Sequence, residues 1–303
     1  MVNEAFLEKL GSGDTQHIKE AQDAINDYTR VRMREDGFWR RILPPVQMTN
    51  DELDRQVDTD KPVKVIDKEP NSPEAISVPF ATLPMNRYIR GPRYRVMFDR
   101  ILTPRFTKDV DELRTYDMDI RQILSDNSIK DMLAEEDGKA IAVVNTLLVA
   151  KNSVLSSTGV AQWVGIPGGV TRDTLAEAMK VLPRTPSHLN PATILINNVT
   201  IWDIVKFGRD EMGGDLSEEL FRTGFAEREL MGVRWIITIK RNLVEDSTIF
   251  LFAEPKFMGK FFVLEDTTMF VKREAYMLEF FAYESIGSAI ANVAAVGRVD
   301  FEP

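Results

Sequence analysis

The sequence predicts an α+β protein in which strand-rich and helical segments follow one another along the chain. Residues 48–107 are rich in proline and carry alternating runs, whereas a long helical pattern extends from Asp109 to about Lys151. Short mixed elements follow, and the last fifty residues are strand-rich. Runs of strands separated from runs of helices are typical of the α+β class. At 303 residues and 44% hydrophobic content, the chain can bury one large core or two modest ones.

The composition excludes several classes of protein. The chain has no cysteine, which removes disulfides, thiolate metal sites and a cysteine nucleophile. Its two histidines, His17 and His188, are far apart and have no catalytic partner at useful spacing. The net charge of −9 is unlike that of a dedicated nucleic-acid binder. We therefore expect no cofactor, no metal ion and no catalytic residues.

Membrane insertion and secretion are not predicted either. The sequence has no apolar run long enough to span a bilayer. Glu4 and Glu8 stand where a signal peptide needs a basic and then an apolar region. We therefore expect a protein that folds in a reducing cytoplasm and has no membrane partner.

Residues 1–40 have the pattern of an amphipathic helical arm. Ala21, Ile25, Tyr28 and Met33 recur at helical intervals among charged residues. Gly37 and then Pro44-Pro45 are expected to end the arm. The apolar stripe is too narrow for a domain core, so the arm must lie on its own body or on a neighbouring subunit.

Residues 48–107 contain seven prolines and are predicted to be extended chain with turns. Two alternating runs, Lys61–Asp67 and Ala75–Thr82, flank a loose hairpin tip, and a third run spans Tyr94–Leu102. The segment has few large apolar side chains, so it cannot hold a core of its own. A partner chain is its expected stabiliser.

The remaining elements are predicted from periodicity and cap residues. Asp109 suits the N-cap of the long helix, and Gly138 with Asp126-Asn127-Ser128 predicts a bend or a break in it. We expect the following further elements: helices at Thr171–Leu182 and Thr200–Phe207, a buried strand at Ala192–Ile196, a strand pair at Val233–Lys240 and Thr248–Ala253, and strands at Lys260–Leu264, Met269–Arg273, Ala275–Tyr283 and Arg298–Phe301. Both faces of Ala275–Tyr283 carry aromatic residues and are expected to be covered.

Three motifs have a chemical and a structural interpretation. The glycine-rich stretch at 165–171 could cradle a phosphate, but it lacks the Gly-Lys-Ser/Thr of a P-loop, so a turn into an N-cap at Thr171 is favoured. Glu135-Glu136-Asp137 could supply acid and base groups, but a solvated or interface charge cluster is the simpler interpretation. Glu279 could be a perturbed buried carboxylate, and a structural charge partner is favoured.

Two charged runs are the candidate contact residues between subunits. The basic run contains arginines and no lysine, which favours directed bidentate contacts with carboxylates over a diffuse field. Its members are Arg87, Arg90, Arg93, Arg95, Arg100 and Arg105. The acidic run consists of Asp51, Glu52, Asp54, Asp58 and Asp60. The arginines are expected to pair with this acidic run or with another subunit, and nucleic-acid binding is the alternative.

The order of these segments resembles the Hong Kong 97-type capsid subunit of tailed phages. The local likeness begins at Ala192-Thr-Ile-Leu-Ile-Asn-Asn198, a strand ending in asparagine that leads to a helix with Trp202. It continues at Gly213-Gly214-Asp215-Leu216, at Met231-Gly-Val-Arg-Trp-Ile-Ile237 and in the returning segment Glu284–Phe301.

The resemblance implies a division of the chain into the parts of that fold. These are an N-terminal arm at 1–47, an E-loop hairpin at 48–107, a peripheral domain with a long spine helix at 108–158 and 255–283, and an axial domain at 159–254 and 284–303. Residues 255–267 correspond to the peripheral-domain loop. In the family the arm and the two loops interlock with neighbouring subunits.

The resemblance also implies a function, with alternatives. The chain is expected to be a non-enzymatic major capsid protein that assembles in the host bacterial cytoplasm into pentamers and hexamers of an icosahedral virion head. Its partners would be further copies, a portal protein, scaffolding or decoration proteins, and double-stranded DNA enclosed without sequence-specific binding. An encapsulin-like nanocompartment shell shares the fold, and a soluble α+β enzyme is the alternative from another class.

Two departures from the family pattern qualify these expectations. Lys256–Thr268 contains no asparagine to join with Lys61, Lys64 or Lys68, so lysine–asparagine cross-linking is not expected. About 40 residues precede the loop segment, so scaffolding is expected to be a separate protein or to be absent.

Overall fold

The computed structural model describes residues 37–55, 59–68, 77–80, 83, 91–115, 120–148, 162–205, 229–230 and 232–302. Its described helices are short except for one of 28 residues. They are α1 (Trp39–Ile42), α2 (Val110–Thr115), α3 (Ile120–Leu147), α4 (Arg172–Met179), α5 (Ile201–Val205) and α6 (Pro255–Met258). No described helix is both long enough and apolar enough to cross a membrane.

The described strands form two sheets and a separate hairpin. The first sheet contains β1 (Pro45–Gln47), β4 (Asp99–Leu102), β5 (Phe106–Asp109), β11 (Gly259–Glu274) and β12 (Met277–Ile290). The second contains β6 (Trp163–Pro167), β7 (Thr193–Asn197), β8 (Glu229–Leu230), β9 (Val233–Thr238), β10 (Thr248–Phe252) and β13 (Val296–Glu302). The hairpin consists of β2 (Val63–Asp67) and β3 (Arg93–Met97). The mixed α+β class predicted from the sequence is confirmed.

The two long strands β11 and β12 form the centre of the first sheet. The two strands run antiparallel from Gly259 opposite Ile290 to Glu274 opposite Met277, with bulges between Val263 and Thr268. Strand β1 adds in parallel beside β11, while β4 and β5 lie on the far side of β12. The two separate strands predicted at 260–264 and 269–273 are therefore one strand, because the bulges bend the pairing without ending it.

The β12 strand buries one face more completely than the other. Leu278 and Phe280 are buried, whereas Met277, Phe281 and Tyr283 on the opposite face are half-exposed. Both faces are therefore covered to some degree, as expected, and the second less completely than the first.

The second sheet has the order β6, β13, β10, β7, β9, β8. Strand β7 lies between β9 and β10, parallel to the former and antiparallel to the latter. The predicted pairing of 233–240 with 248–253 is therefore wrong, although both strands exist. All five residues of β7 and all five of β10 are buried, as expected of central strands covered on both faces.

Helix α3 packs an apolar stripe against both sheets. Ile129, Met132, Leu133, Ile141 and Val144 are buried at the spacing of one helical face. Of the bend or break expected at Gly138 and at residues 126–128, a break is excluded, because the helix is continuous from 120 to 147. A single glycine costs a helix only about 1 kcal/mol, which the packing of this stripe outweighs.

The N-terminal segment enters the core directly before the first sheet. Trp39 is 1% exposed, and its ring meets that of Phe252 edge-on at 6.1 Å between centroids. Gly37 and Phe38 are outside any helix, and the short helix α1 that follows them ends at Ile42, before Pro44-Pro45 as expected. The apolar stripe predicted for the arm lies outside the described residues.

The β2–β3 hairpin stands apart from the main core. Val96 and Phe98 form a small second cluster with Met48 and Phe262. The predicted strand at 61–67 is confirmed over Val63–Asp67, and the run at 94–102 forms β3 and β4. The predicted strand at Ala75–Thr82 is wrong at Ser77–Phe80, which are not in a strand, and its other residues lie outside the described ones.

The close approach of β11 and β12 gives a stability prediction. A Cβ atom added to Gly259 would lie 2.1 Å from the backbone oxygen of Ala289, whereas one added to Gly91 would meet nothing within 4 Å. Replacing Gly259 with alanine forces the strands apart, and we expect a loss of at least about 1–3 kcal/mol in the free energy of unfolding. Chemical denaturation of Gly259→Ala beside Gly91→Ala measures it. Equal stabilities for the two variants would contradict the strand packing.

Candidate functional site

The guanidinium group of Arg40 lies at the centre of a buried charge cluster. Its Nε and Nη2 atoms donate to the carboxylate of Glu136 at 2.9–3.1 Å. Nη2 also donates to Glu284 at 3.2 Å, and Nη1 lies 3.7 Å from Asp266. The arginine belongs to α1, and its partners belong to α3, β12 and β11. One side chain therefore joins four elements.

This cluster is almost completely removed from water. The side chain of Arg40 is 7% exposed, that of Glu136 is 1% exposed and that of Glu284 is fully buried. The guanidinium also lies over the ring of Phe261, 5.9 Å from its centroid. A buried charge is tolerated only when it is paired and hydrogen-bonded, so each partner depends on the others.

Asp137 forms the second part of the same cluster. Its Oδ1 atom accepts a hydrogen bond from the backbone N–H of Trp39 at 3.0 Å, and its Oδ2 atom accepts one from Nζ of Lys240 at 2.6 Å. Lys240 follows β9 and also lies over the ring of Phe38 at 5.6 Å. The α1 segment is thus held by adjacent acidic residues of α3, and the second sheet joins the cluster through Lys240.

Burial changes the acidity of these carboxyl groups. Desolvation, followed by the charge of Glu136, raises the pKa of Glu284 to about 7. Desolvation also raises the pKa of Glu136, against the opposing attraction of Arg40, and raises that of Asp137, against the hydrogen bond from Lys240. Thr267 donates to Oε2 of Glu284 at 3.0 Å. In the described part of the chain, Oε1 of Glu284 is buried and has no hydrogen-bond partner.

The cluster has the features of a structural junction. Among the described residues, no group of three or more His, Cys, Asp or Glu side chains could hold a metal ion. Glu136 and Asp137 are 1% and 0% exposed, so their predicted place in a solvated or interface charge cluster is wrong, while Glu135 is exposed. Sequence reasoning also missed Arg40, which directly follows the buried Trp39, and Glu284, which lies in a buried part of β12.

The predicted basic run has local contacts within the subunit. Arg93 pairs with Asp67 across the hairpin at 2.7 Å, and both side chains are largely exposed. The guanidinium of Arg100 lies over the ring of Tyr283 at 5.5 Å, and that of Arg105 lies over Phe281 at 5.6 Å. The remaining members are exposed or not described: Arg95 is exposed, and Arg87 and Arg90 lie outside the described residues.

The predicted acidic run serves partly to organise its own loop. Asp54 accepts a hydrogen bond from the backbone of Val65 at 2.7 Å, and Glu52 accepts one from the backbone of Thr49 at 3.0 Å. Asp51 and Asp60 are exposed, and Asp58 lies outside the described residues. Within the described ranges, no ion pair links the basic run to the acidic run.

The glycine-rich stretch is a turn, as the favoured interpretation expected. Gly168 and Gly169 have positive φ angles, and their N–H groups donate to the carbonyl of Glu302 at 3.0 and 2.8 Å. Thr171 caps α4 by accepting from the backbone of Thr174, which confirms the predicted N-cap. Since both glycine donors bind the backbone of β13, they do not face a phosphate site.

Comparison with known proteins identifies the fold. No protein-family model matches the sequence, and no curated protein matches it. The structure is similar to the mature capsid of bacteriophage PhiM1, with a TM-score of 0.58, 8% sequence identity and coverage of 88% of this chain and 87% of that chain. A virus-like particle from Pyrococcus furiosus matches at a TM-score of 0.55 and 12% identity, over 93% of this chain and 100% of that chain.

A third similar structure is the capsid of a GTA particle. The capsid of the native GTA particle matches at a TM-score of 0.56 and 15% identity, over 87% of this chain and 89% of that chain. These likenesses span nearly whole chains, so the fold is that of tailed-phage capsid subunits, the Hong Kong 97-type fold predicted from the sequence.

Removal of the central cation tests the role of the cluster. Arg40→Met leaves Glu136 and Glu284 buried without their cation, and we expect a loss of about 3–5 kcal/mol in the free energy of unfolding. Arg40→Lys keeps the charge but loses the bidentate geometry, so its loss should be smaller. Denaturant unfolding of both variants measures which of them loses more free energy of unfolding. A methionine variant as stable as the unsubstituted protein would show that the cluster does not hold these elements together.

Proposed function

We propose that the chain is a major capsid protein that assembles into a closed shell around phage double-stranded DNA. The observation that carries this proposal is the shared fold with phage capsid subunits over nearly the whole of both chains. In this proposal the subunits form pentamers and hexamers, which tile an icosahedral head. The role is structural and not enzymatic, and the protein is located in the virion after assembly in the host bacterial cytoplasm.

The proposed division of the chain follows the parts of this fold. We assign 1–47 to the N-terminal arm and 48–107 to the E-loop. Residues 108–158 and 255–283 form the peripheral domain, with α3 as the spine helix, and 159–254 and 284–303 form the axial domain. The separate hairpin, the long helix beside β11 and β12, and the second sheet support this assignment, with β12 continuing across the boundary at 283.

Exposed apolar side chains support a role for the E-loop between subunits. Phe80 is fully exposed and Leu83 is 90% exposed, and both belong to the segment that lacks a core of its own. Met97 and Leu102 also present half or more of their surface to solvent. Apolar surface of this kind is stabilised when a neighbouring subunit covers it.

The charged runs supply the polar part of the proposed contacts. Arg95, Asp51 and Asp60 are exposed side chains at or near the hairpin, available to a second copy. We propose that the basic run Arg87–Arg105 pairs with carboxylates of a neighbouring subunit, including the acidic run at 51–60. Further proposed partners are a portal protein, and scaffolding and decoration proteins.

An encapsulin-like shell is the second candidate. The likeness to a virus-like particle from Pyrococcus furiosus favours it, since that particle has the same fold. The contents of the particle distinguish the two candidates, because a phage head encloses DNA and a nanocompartment encloses protein. A soluble enzyme of the same size would form neither particle.

The first test is the assembly state of the expressed chain. We expect closed particles in negative-stain micrographs and a fast-sedimenting species, with nuclease-protected DNA in particles recovered from infected cells. Particles that hold protein cargo and no DNA would favour the nanocompartment. A folded monomer or small oligomer that never assembles, alone or with phage proteins, would contradict both shell candidates.

The second test reverses one charge on the hairpin. Arg95→Glu should lower the yield of particles while the free subunit keeps its secondary structure and melting temperature, because it replaces attraction between subunits with repulsion. Arg172→Glu, an exposed arginine at the start of α4, is the matched control and should assemble normally. Unchanged yield for Arg95→Glu, measured by sedimentation, would count against the proposed contact.

A further inference from the structure

Among the described residues, the buried cluster contains more acidic groups than basic ones. Arg40 and Lys240 supply two positive charges. Three carboxyl groups that pair with them are 1% exposed or less: Glu136, Asp137 and Glu284. With every group ionised, these five residues would carry one uncompensated negative charge in a region almost without solvent. That arrangement is expensive unless a proton neutralises part of the charge.

Of the three fully buried carboxyl groups, Glu284 leaves one oxygen without a hydrogen bond among the described residues. Glu136 receives three hydrogen-bond contacts from Arg40, and Asp137 receives bonds from Lys240 and from the backbone of Trp39. In the described part of the chain, Glu284 accepts from Nη2 of Arg40 and from the hydroxyl of Thr267, both on its Oε2 atom. Its Oε1 atom has no hydrogen-bond partner among the described residues. A proton in the cluster is therefore held best on Glu284.

We propose that the Arg40 cluster is a proton-dependent latch, in which a proton on Glu284 keeps α3 packed on the first sheet. Loss of that proton as the pH rises loosens this packing. The proposal stands on the contacts of the cluster and does not depend on the capsid role.

The geometry explains why the junction between helix and sheet is the part that loosens. Glu136 belongs to α3, whereas Glu284 and Asp266 belong to β12 and β11. An ionised Glu284 repels the carboxylates of Glu136 and Asp266. Arg40 from α1 is already bound to Glu136. The remaining charges that face the cluster are Asp137 of α3 and Lys240 after β9, which pair with each other. Hydration of the new charge thus favours separation of α3 from the sheet.

The sign of the pH effect follows from linkage. The pKa of Glu284 is about 7 in the closed state against an ordinary value of 4.5. Between these values the closed state binds more protons than the open state, so the closed state loses stability as the pH rises and levels off above the higher value. For one group with this shift, the equilibrium constant for opening should rise about tenfold between pH 6 and pH 8.

Hydrogen exchange of the full-length protein tests the latch. Amide exchange in α1, α3 and the centre of β12 is measured at pH 6 and pH 8 and corrected for the intrinsic chemical rate. We expect opening to increase about tenfold in the unsubstituted protein and to be nearly independent of pH in Glu284→Gln. Glu279→Gln, on the same strand but outside the cluster, should keep the tenfold change. Sedimentation at each pH checks that the assembly state is the same in all samples.

Two outcomes of the exchange experiment overturn the proposal. Corrected exchange that does not depend on pH in the unsubstituted protein would show that no proton is linked to the packing, and an unchanged pH dependence in Glu284→Gln would place the proton elsewhere. Should Glu284→Gln fail to fold, infrared difference spectra of the unsubstituted protein decide the matter. The carbonyl band of a buried carboxylic acid must be present at pH 6 and lost by pH 8, and its absence at pH 6 contradicts the latch.

Discussion

The pairing of Arg40 with buried carboxylates is the interaction on which the rest of the structure depends. Arg40 is 96 residues from Glu136 and 244 residues from Glu284 in sequence, yet all three meet without solvent. Because a buried charge cannot be left unpaired, the N-terminal segment, helix α3 and the first sheet must take up their positions together. The adjacent bond from Trp39 to Asp137 and the contact of Lys240 extend the same constraint to the second sheet.

One part of the chain lies outside the core that this constraint organises. Residues 38–43 and both sheets share that core, whereas Val96 of the β2–β3 hairpin belongs to a small separate cluster, against which Ile66 and Tyr94 of the hairpin also pack. The hairpin therefore keeps exposed apolar and charged side chains on a firmly anchored base. This division between an anchored body and a projecting hairpin is the property that the proposed shell function uses.

Much of the fold could be predicted from the sequence, and the errors have physical causes. Periodicity located the long helix, the buried strand at 192–196 and the cap at Thr171, since each depends on local pattern. Pairing order depends on contacts distant in sequence, so nothing local indicated that β7 separates β9 from β10. Gly138 does not break the helix, because packing of the apolar stripe outweighs the glycine, so the alternative of a continuous helix holds.

The buried cluster was missed because charged residues were read as solvated. The helical spacing already held the signal, since Glu136 and Asp137 fall between Leu133 and Ala140 on the apolar face of α3. Glu284 similarly lies beside Ala282 and Ile286 in a buried strand. Their partner, Arg40, could not be identified from spacing, because nothing local to the helix specifies a residue in α1. The candidate contacts between subunits concern residues on the surface, whose roles depend on a second copy.

The central claim is that Arg40 and its carboxylates act as one energetic unit. A double-mutant cycle on Arg40→Met and Glu136→Gln measures their coupling through the free energy of unfolding, with the exposed pair Arg93 and Asp67 as the reference cycle. We predict a coupling of roughly 2 kcal/mol or more for the buried pair and a much smaller one for the exposed pair. Effects of the two buried substitutions that add to within about 0.5 kcal/mol would contradict the account.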